Sequence, residues 1–62
     1  MRPPERIGPL LKLIGNVWES NPDLRLCQLL SNCFGIKDLY DIEDEVLEKK
    51  IKMTYKGHYK EK

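Results

Sequence analysis

Ile7, Leu10, Leu11, Ile14, Val17 and Trp18 recur at i, i+3, i+4, i+7, i+10 and i+11. That spacing draws one stripe along an amphipathic helix and fits no strand. Pro3-Pro4-Glu5 suits the start of such a helix, where a missing N–H costs nothing. Pro9 restricts it further, because an interior proline removes a ladder bond and clashes with the preceding turn at a cost of about 3 kcal/mol. The helix therefore either begins so late that Pro9 lies in its first turn, or bends there. Gly15 weakens the same helix by about 1 kcal/mol relative to alanine, and a close approach by another backbone would offset that loss. The stripe predicts that Trp18 is buried against a second helix.

Two further helical segments follow, each with its own punctuation. Asn21 suits an N-cap, Pro22 a first helical position and Asp23 the positive end of a helix dipole. A second helix is expected to run from there to about Phe34 and to stop at Gly35. Leu26, Cys27, Leu29, Leu30, Cys33 and Phe34 fall on its apolar side, and Arg25, Gln28 and Asn32 on the other. Residues 36–40 read as an ordered connection, with Leu39 or Tyr40 over the helix ends. Asp41 is the expected cap of a third helix whose first turn holds Glu43, Asp44 and Glu45. Ile42, Val46, Leu47 and Ile51 give it an apolar side, and it should fade near Thr54. No strand alternation competes with these patterns, so the fold class is all-α: a compact three-helix miniprotein with a short basic C-terminal tail. Residues 1–56 form the expected domain, and 57–62 an expected flexible tail.

At 62 residues the chain hides only about 60% of its unfolded surface on folding. A thin core of this kind favours completion by a second chain, so a homodimer is expected. An enclosed catalytic pocket is not. Cys27 and Cys33 stand six apart on one helix, about 240° apart around it and about 9 Å apart along its axis, too far to bridge. A zinc site needs four converging ligands, and these two thiols with His58 make three. His58 would also have to serve as the base in any nucleophilic chemistry, with nothing around it to fix its ring. The acidic group at 41–45 lacks the glycine-punctuated spacing of a calcium loop, and helix capping accounts for it. The sequence predicts no enzymatic activity, no metal and no cofactor.

The formal charge of +1 conceals two halves. Residues 1–48 hold five basic and nine acidic side chains, a net of −4. Residues 49–62 hold six lysines and one glutamate, a net of +5. Lys49, Lys50, Lys52 and Lys56 are candidates for a basic binding tail, although lysines at a helix C-terminus also complement its dipole without any partner. Arg25, Gln28 and Asn32 stand at i, i+3 and i+7, and these residue types read base edges in a major groove. The acidic body opposes phosphate, so a protein partner is the expected ligand of that face. Nucleic-acid binding through the same face and the basic tail is the alternative. No apolar run approaches the length of about 20 residues that spans a bilayer, and none of signal-peptide length follows the first charges. Two unpaired thiols suit a reducing interior, so a cytoplasmic protein without membrane association is expected.

The order Arg6-Ile7, Trp18, Pro22-Asp23-Leu24-Arg25-Leu26, Gln28-Leu29-Leu30, Tyr40, Glu43-Asp44-Glu45 and Leu47 resembles a group of small bacterial and phage helical proteins. It is more distantly similar to the YihD family, in the tryptophan, the Pro-Asp step, Gln28 and the region of Asp44. The resemblance covers roughly residues 6–51. It implies a helical fold and a cytoplasmic setting, that of the host for a phage protein, where a host-directed regulator would act. It assigns no residue a role.

Overall fold

The computed structural model describes residues 3–35 and 38–60. A 3-10 turn, Pro4–Arg6, runs directly into α1, Ile7–Ser20. After an irregular turn come α2, Leu26–Ser31, and α3, Asp44–Thr54. There is no strand among the described residues, and the fold is all-α. Pro9 is the third residue of α1, so it sits in the first turn, where its missing N–H removes no helical bond.

The core is a single cluster drawn from all three helical regions. Leu13 and Val17 of α1, Leu29 of α2, Cys33 just beyond it, Ile51 of α3 and Tyr55 at its end are all buried. Ile14, Leu24, Leu30, Phe34, Leu47 and Tyr59 pack around them. This corrects the expected stripe of α1. Leu13 and Asn16 are buried, whereas Ile7, Leu11 and Trp18 are 48%, 61% and 37% exposed. Apolar side chains cover more than one side of α1, and the core takes the side centred on Leu13 and Val17.

The second helix is shorter than its pattern predicts, and its start lies elsewhere. Asn21 closes α1 instead of opening α2: its backbone N–H donates to Trp18 O at 3.0 Å and its Nδ2 donates to Val17 O at 2.9 Å. Asparagine suits either end of a helix, because its amide can donate to an orphan carbonyl as readily as its oxygen accepts from an orphan N–H. The cap of α2 is Arg25, whose backbone N–H donates to Oε1 of Gln28 at 2.9 Å. This is the reach-back half of a capping box. At the other end Gly35 takes a φ of +67°, the left-handed geometry expected of a glycine that stops a helix.

The third helix also starts later than Asp41. Its cap is Glu43, with Asp44 and Glu45 in the first turn, and Arg6 Nε lies 2.9 Å from Asp44 Oδ2. The pair ties the 3-10 turn to the head of α3, and both side chains are about one-third exposed. The preceding turn is built by Asp38, whose Oδ1 accepts the N–H of Tyr40 at 3.0 Å. Leu39 is half-buried and Tyr40 is 90% exposed, so Tyr40 does not cover the helix ends. Ile36 and Lys37, also expected in that connection, lie outside the described residues.

The chain beyond α3 folds back. Gly57, at φ +80°, turns residues 58–60 onto the end of α1. There Asn21 Nδ2 donates to His58 O at 3.0 Å, and the N–H of Lys60 donates to Ser20 Oγ at 3.3 Å. Tyr59 packs against the core cluster. Residues 58–60 therefore contact the end of α1 and the edge of the core, and residues 61 and 62, the rest of the expected tail, lie outside the described residues. The radius of gyration is 11.5 Å, against roughly 10.6 Å for a compact chain of this length. The molecule is only 18 Å thick, less than two helix diameters of about 10–12 Å. A body this thin leaves one side of α1 facing solvent.

Candidate functional site

The first turn of α2 projects from the surface as a unit. Arg25, Leu26, Cys27 and Gln28 are all exposed, Leu26 at 38%. Of the three side chains on the candidate partner face, Arg25 precedes α2, Gln28 lies within it and Asn32 follows it. All three are exposed, yet two of them also hold the fold. Gln28 caps α2 through its Oε1, and Asn32 Nδ2 donates to Tyr55 Oη at 3.3 Å. The opposite side of the helix carries Leu29, fully buried, with Leu30 half-buried. Leu26 and Cys27, expected toward the core, are at the surface. A six-residue helix with one fully buried leucine has room for few inward positions.

Below this turn lies a polar knot around Leu29 O. The amides that would ordinarily reach that carbonyl go elsewhere, Asn32 N–H to Gln28 O at 2.9 Å and Cys33 N–H to Leu30 O at 3.1 Å. Tyr55 Oη donates to Leu29 O at 2.8 Å, and Cys33 Sγ lies 3.6 Å from the same oxygen. A buried carbonyl left without a donor costs about 1–3 kcal/mol, so Tyr55 does for α2 what a C-cap would do. Nothing local in the sequence pairs Tyr55 with Leu29; the contact is visible only once α3 is docked.

The two thiols differ in kind. Cys27 is exposed and Cys33 is buried, and neither is in a disulfide. Burial pushes the Cys33 thiol above its ordinary value of 9.0, opposed by Thr54 and the nearby Lys50. A buried thiol held protonated is a poor nucleophile. Among the described residues no group of three or more His, Cys, Asp or Glu side chains converges as a metal site. His58 is exposed, and its backbone oxygen, not its ring, carries the contact with Asn21.

Lys49, Lys50, Lys52 and Lys56 are all exposed. The first three lie on α3, opposite in sequence to its acidic first turn, and Lys52 Nζ is 3.8 Å from Glu48 Oε2 one turn earlier. This order, glutamate before lysine, is the favourable one for a helix. No helix among the described residues is long and apolar enough to cross a membrane. Comparison with known protein families, curated proteins and solved structures found no match.

Proposed function

We propose that this is a non-enzymatic interaction protein that acts in the cytoplasm by binding a protein partner through the first turn of α2. The observation that carries this reading is the joint exposure of Arg25, Leu26, Cys27 and Gln28 on a turn that Gln28 Oε1 caps, in a helix whose far end Tyr55 holds. Arginine is enriched among the residues that dominate binding energy at protein interfaces. A turn already held in place loses little entropy when it binds. The net −4 of residues 1–48 disfavours phosphate on this face. The resemblance to small bacterial and phage proteins is in keeping with a regulator directed at a host protein.

Cys27 supplies the handle for the test, because its exposed thiol takes a maleimide-linked photocrosslinker that the buried Cys33 excludes. Illumination in a host extract should yield a discrete protein adduct, and Arg25→Ala should remove it while leaving the melting curve in place. An absence of adducts, or an adduct indifferent to Arg25→Ala, would sink the proposal. The nucleic-acid alternative rests on the lysines of residues 49–56. It requires DNA binding that weakens steeply between 50 and 200 mM salt, read by fluorescence anisotropy of a labelled duplex and a labelled single strand.

A further inference from the structure

We infer that the outer side of α1 is the interface of an antiparallel homodimer, in which Gly8 and Gly15 of each copy receive Trp18 and Leu11 of the other. Gly8, Leu11, Gly15 and Trp18 stand at i, i+3, i+7 and i+10, the alternating spacing of a two-helix seam. At 100° per residue they share an arc of about 80°, on the side of α1 opposite Leu13 and Val17. Ile7 borders the same arc.

The glycines are otherwise unexplained. A methyl group built on Gly8 or Gly15 meets no atom within 4 Å beyond its own stretch of helix. Alanine would fit both positions in the isolated chain and would favour the helix. The large residues between them are exposed, Leu11 at 61% and Trp18 at 37%. Trp18 is nonetheless held in place, because its Nε1 donates to Leu24 O at 2.8 Å. It is a rigid aromatic anchor whose ordering cost is met before binding. Beside it a shallow groove is lined by Gly15, Trp18, Glu19 and Pro22.

A second copy of the same helix is the occupant this surface fits. With two α1 helices antiparallel about a two-fold axis level with residue 13, each small position lies opposite a large one. Gly8 faces Trp18, and Leu11 faces Gly15 at the mouth of the groove. A two-fold interface uses one patch twice, so the patch must complement itself, and this order of small and large residues does. Glycine at those positions lets the two backbones approach at the short end of the usual 8–10 Å separation. Lys12 and Glu19 flank the seam on one side, seven residues apart. Antiparallel pairing brings that side of both helices together and directs each lysine toward the glutamate of the other copy, whereas a parallel pair puts the two sides on opposite edges of the seam. A single pair of helix faces this short covers less than the roughly 1,600 Å² of a standard interface, so dissociation constants in the micromolar range are expected.

Sedimentation equilibrium on the purified protein from about 10 μM to 1 mM tests this, with no second protein present. The wild type should pass from 7.3 kDa to twice that mass. Gly15→Ala should weaken the dimer at least tenfold while the dilute monomer melts at the same temperature or higher. Lys12→Glu should weaken it too, and adding Glu19→Lys should restore it. A wild type that stays monomeric at 1 mM overturns the inference, as does a Gly15→Ala variant that associates as strongly as the wild type. Neither result touches the α2 proposal, which is read from adducts at Cys27.

Discussion

Replacing Tyr55 by phenylalanine removes one oxygen atom and almost no volume. The buried ring, 7% exposed, should keep its place against Leu29 and Ile51. What is lost is the 2.8 Å bond to Leu29 O and the acceptor for Asn32 Nδ2 at 3.3 Å. Leu29 O then keeps only the weak thiol contact at 3.6 Å, since the neighbouring amides are engaged elsewhere. An orphaned buried carbonyl costs about 1–3 kcal/mol and a lost partial bond adds a few tenths, for a total of about 2 kcal/mol. At about 4–8 °C per kcal/mol for a domain of this size, the melting midpoint should fall by about 8–16 °C. Far-UV circular dichroism melts at low micromolar concentration measure it, with urea titrations checking that the slope is unchanged. Asn32→Ala, which leaves the Tyr55–Leu29 bond intact, should cost less than about 1 kcal/mol. If Tyr55→Phe melts within about 2 °C of the wild type, under about half a kcal/mol, Tyr55 is not the cap of α2 and the account of that helix end is wrong.

Other consequences follow from the same contacts. Leu29→Ala empties a fully buried site and should cost about 3–5 kcal/mol, enough to abolish a cooperative melt in so small a domain. Truncation after Lys56 removes Tyr59 from the core edge and the bonds to Asn21 and Ser20; a loss of about 1–2 kcal/mol is expected, and an unchanged midpoint would restore the picture of an undocked tail. Because burial raises the Cys33 thiol above 9.0, the unfolded chain loses its proton first as pH rises. Stability from this group is therefore full below about pH 9 and declines as pH rises through the folded-state value. Urea midpoints from pH 8 to 10.5 should fall less in Cys33→Ala than in the wild type. Thiol titration of the native protein should modify Cys27 alone, with Cys33 reacting only after denaturant is added.

The all-α class, the number of helices and the end of α3 near Thr54 were legible in the residues, because helical spacing and glycine stops are local signals. Which side of α1 faces inward was not. Ile7, Leu11 and Trp18 have the right spacing for a core stripe, but so do Leu10, Leu13, Ile14 and Val17, and only the docking of α3 separates the two sets. Asn21-Pro22 resembles a helix start because the chemistry that caps one helix also ends another. The Arg25–Gln28 cap was readable in principle, as a glutamine three residues after a helix start. The Tyr55–Leu29 bond and the Asn21–His58 bond span 26 and 37 residues, and no periodicity carries information over such distances. For the candidate surface, spacing placed Arg25, Gln28 and Asn32 on one polar side but could not show that Gln28 and Asn32 also hold the fold.

The division of α1 into a core side and a partner side is tested most directly by isotope-filtered nuclear Overhauser spectroscopy on an equal mixture of labelled and unlabelled protein at about 1 mM. Within one chain, contacts should run from Val17 and Leu13 to Ile51 and the Tyr55 ring, following the buried cluster. Between chains, they should run from the Trp18 indole to Gly8 and from the Leu11 methyls to Gly15, as the two-fold pairing requires. Intermolecular contacts centred on any other surface, or none at that concentration, would contradict this division.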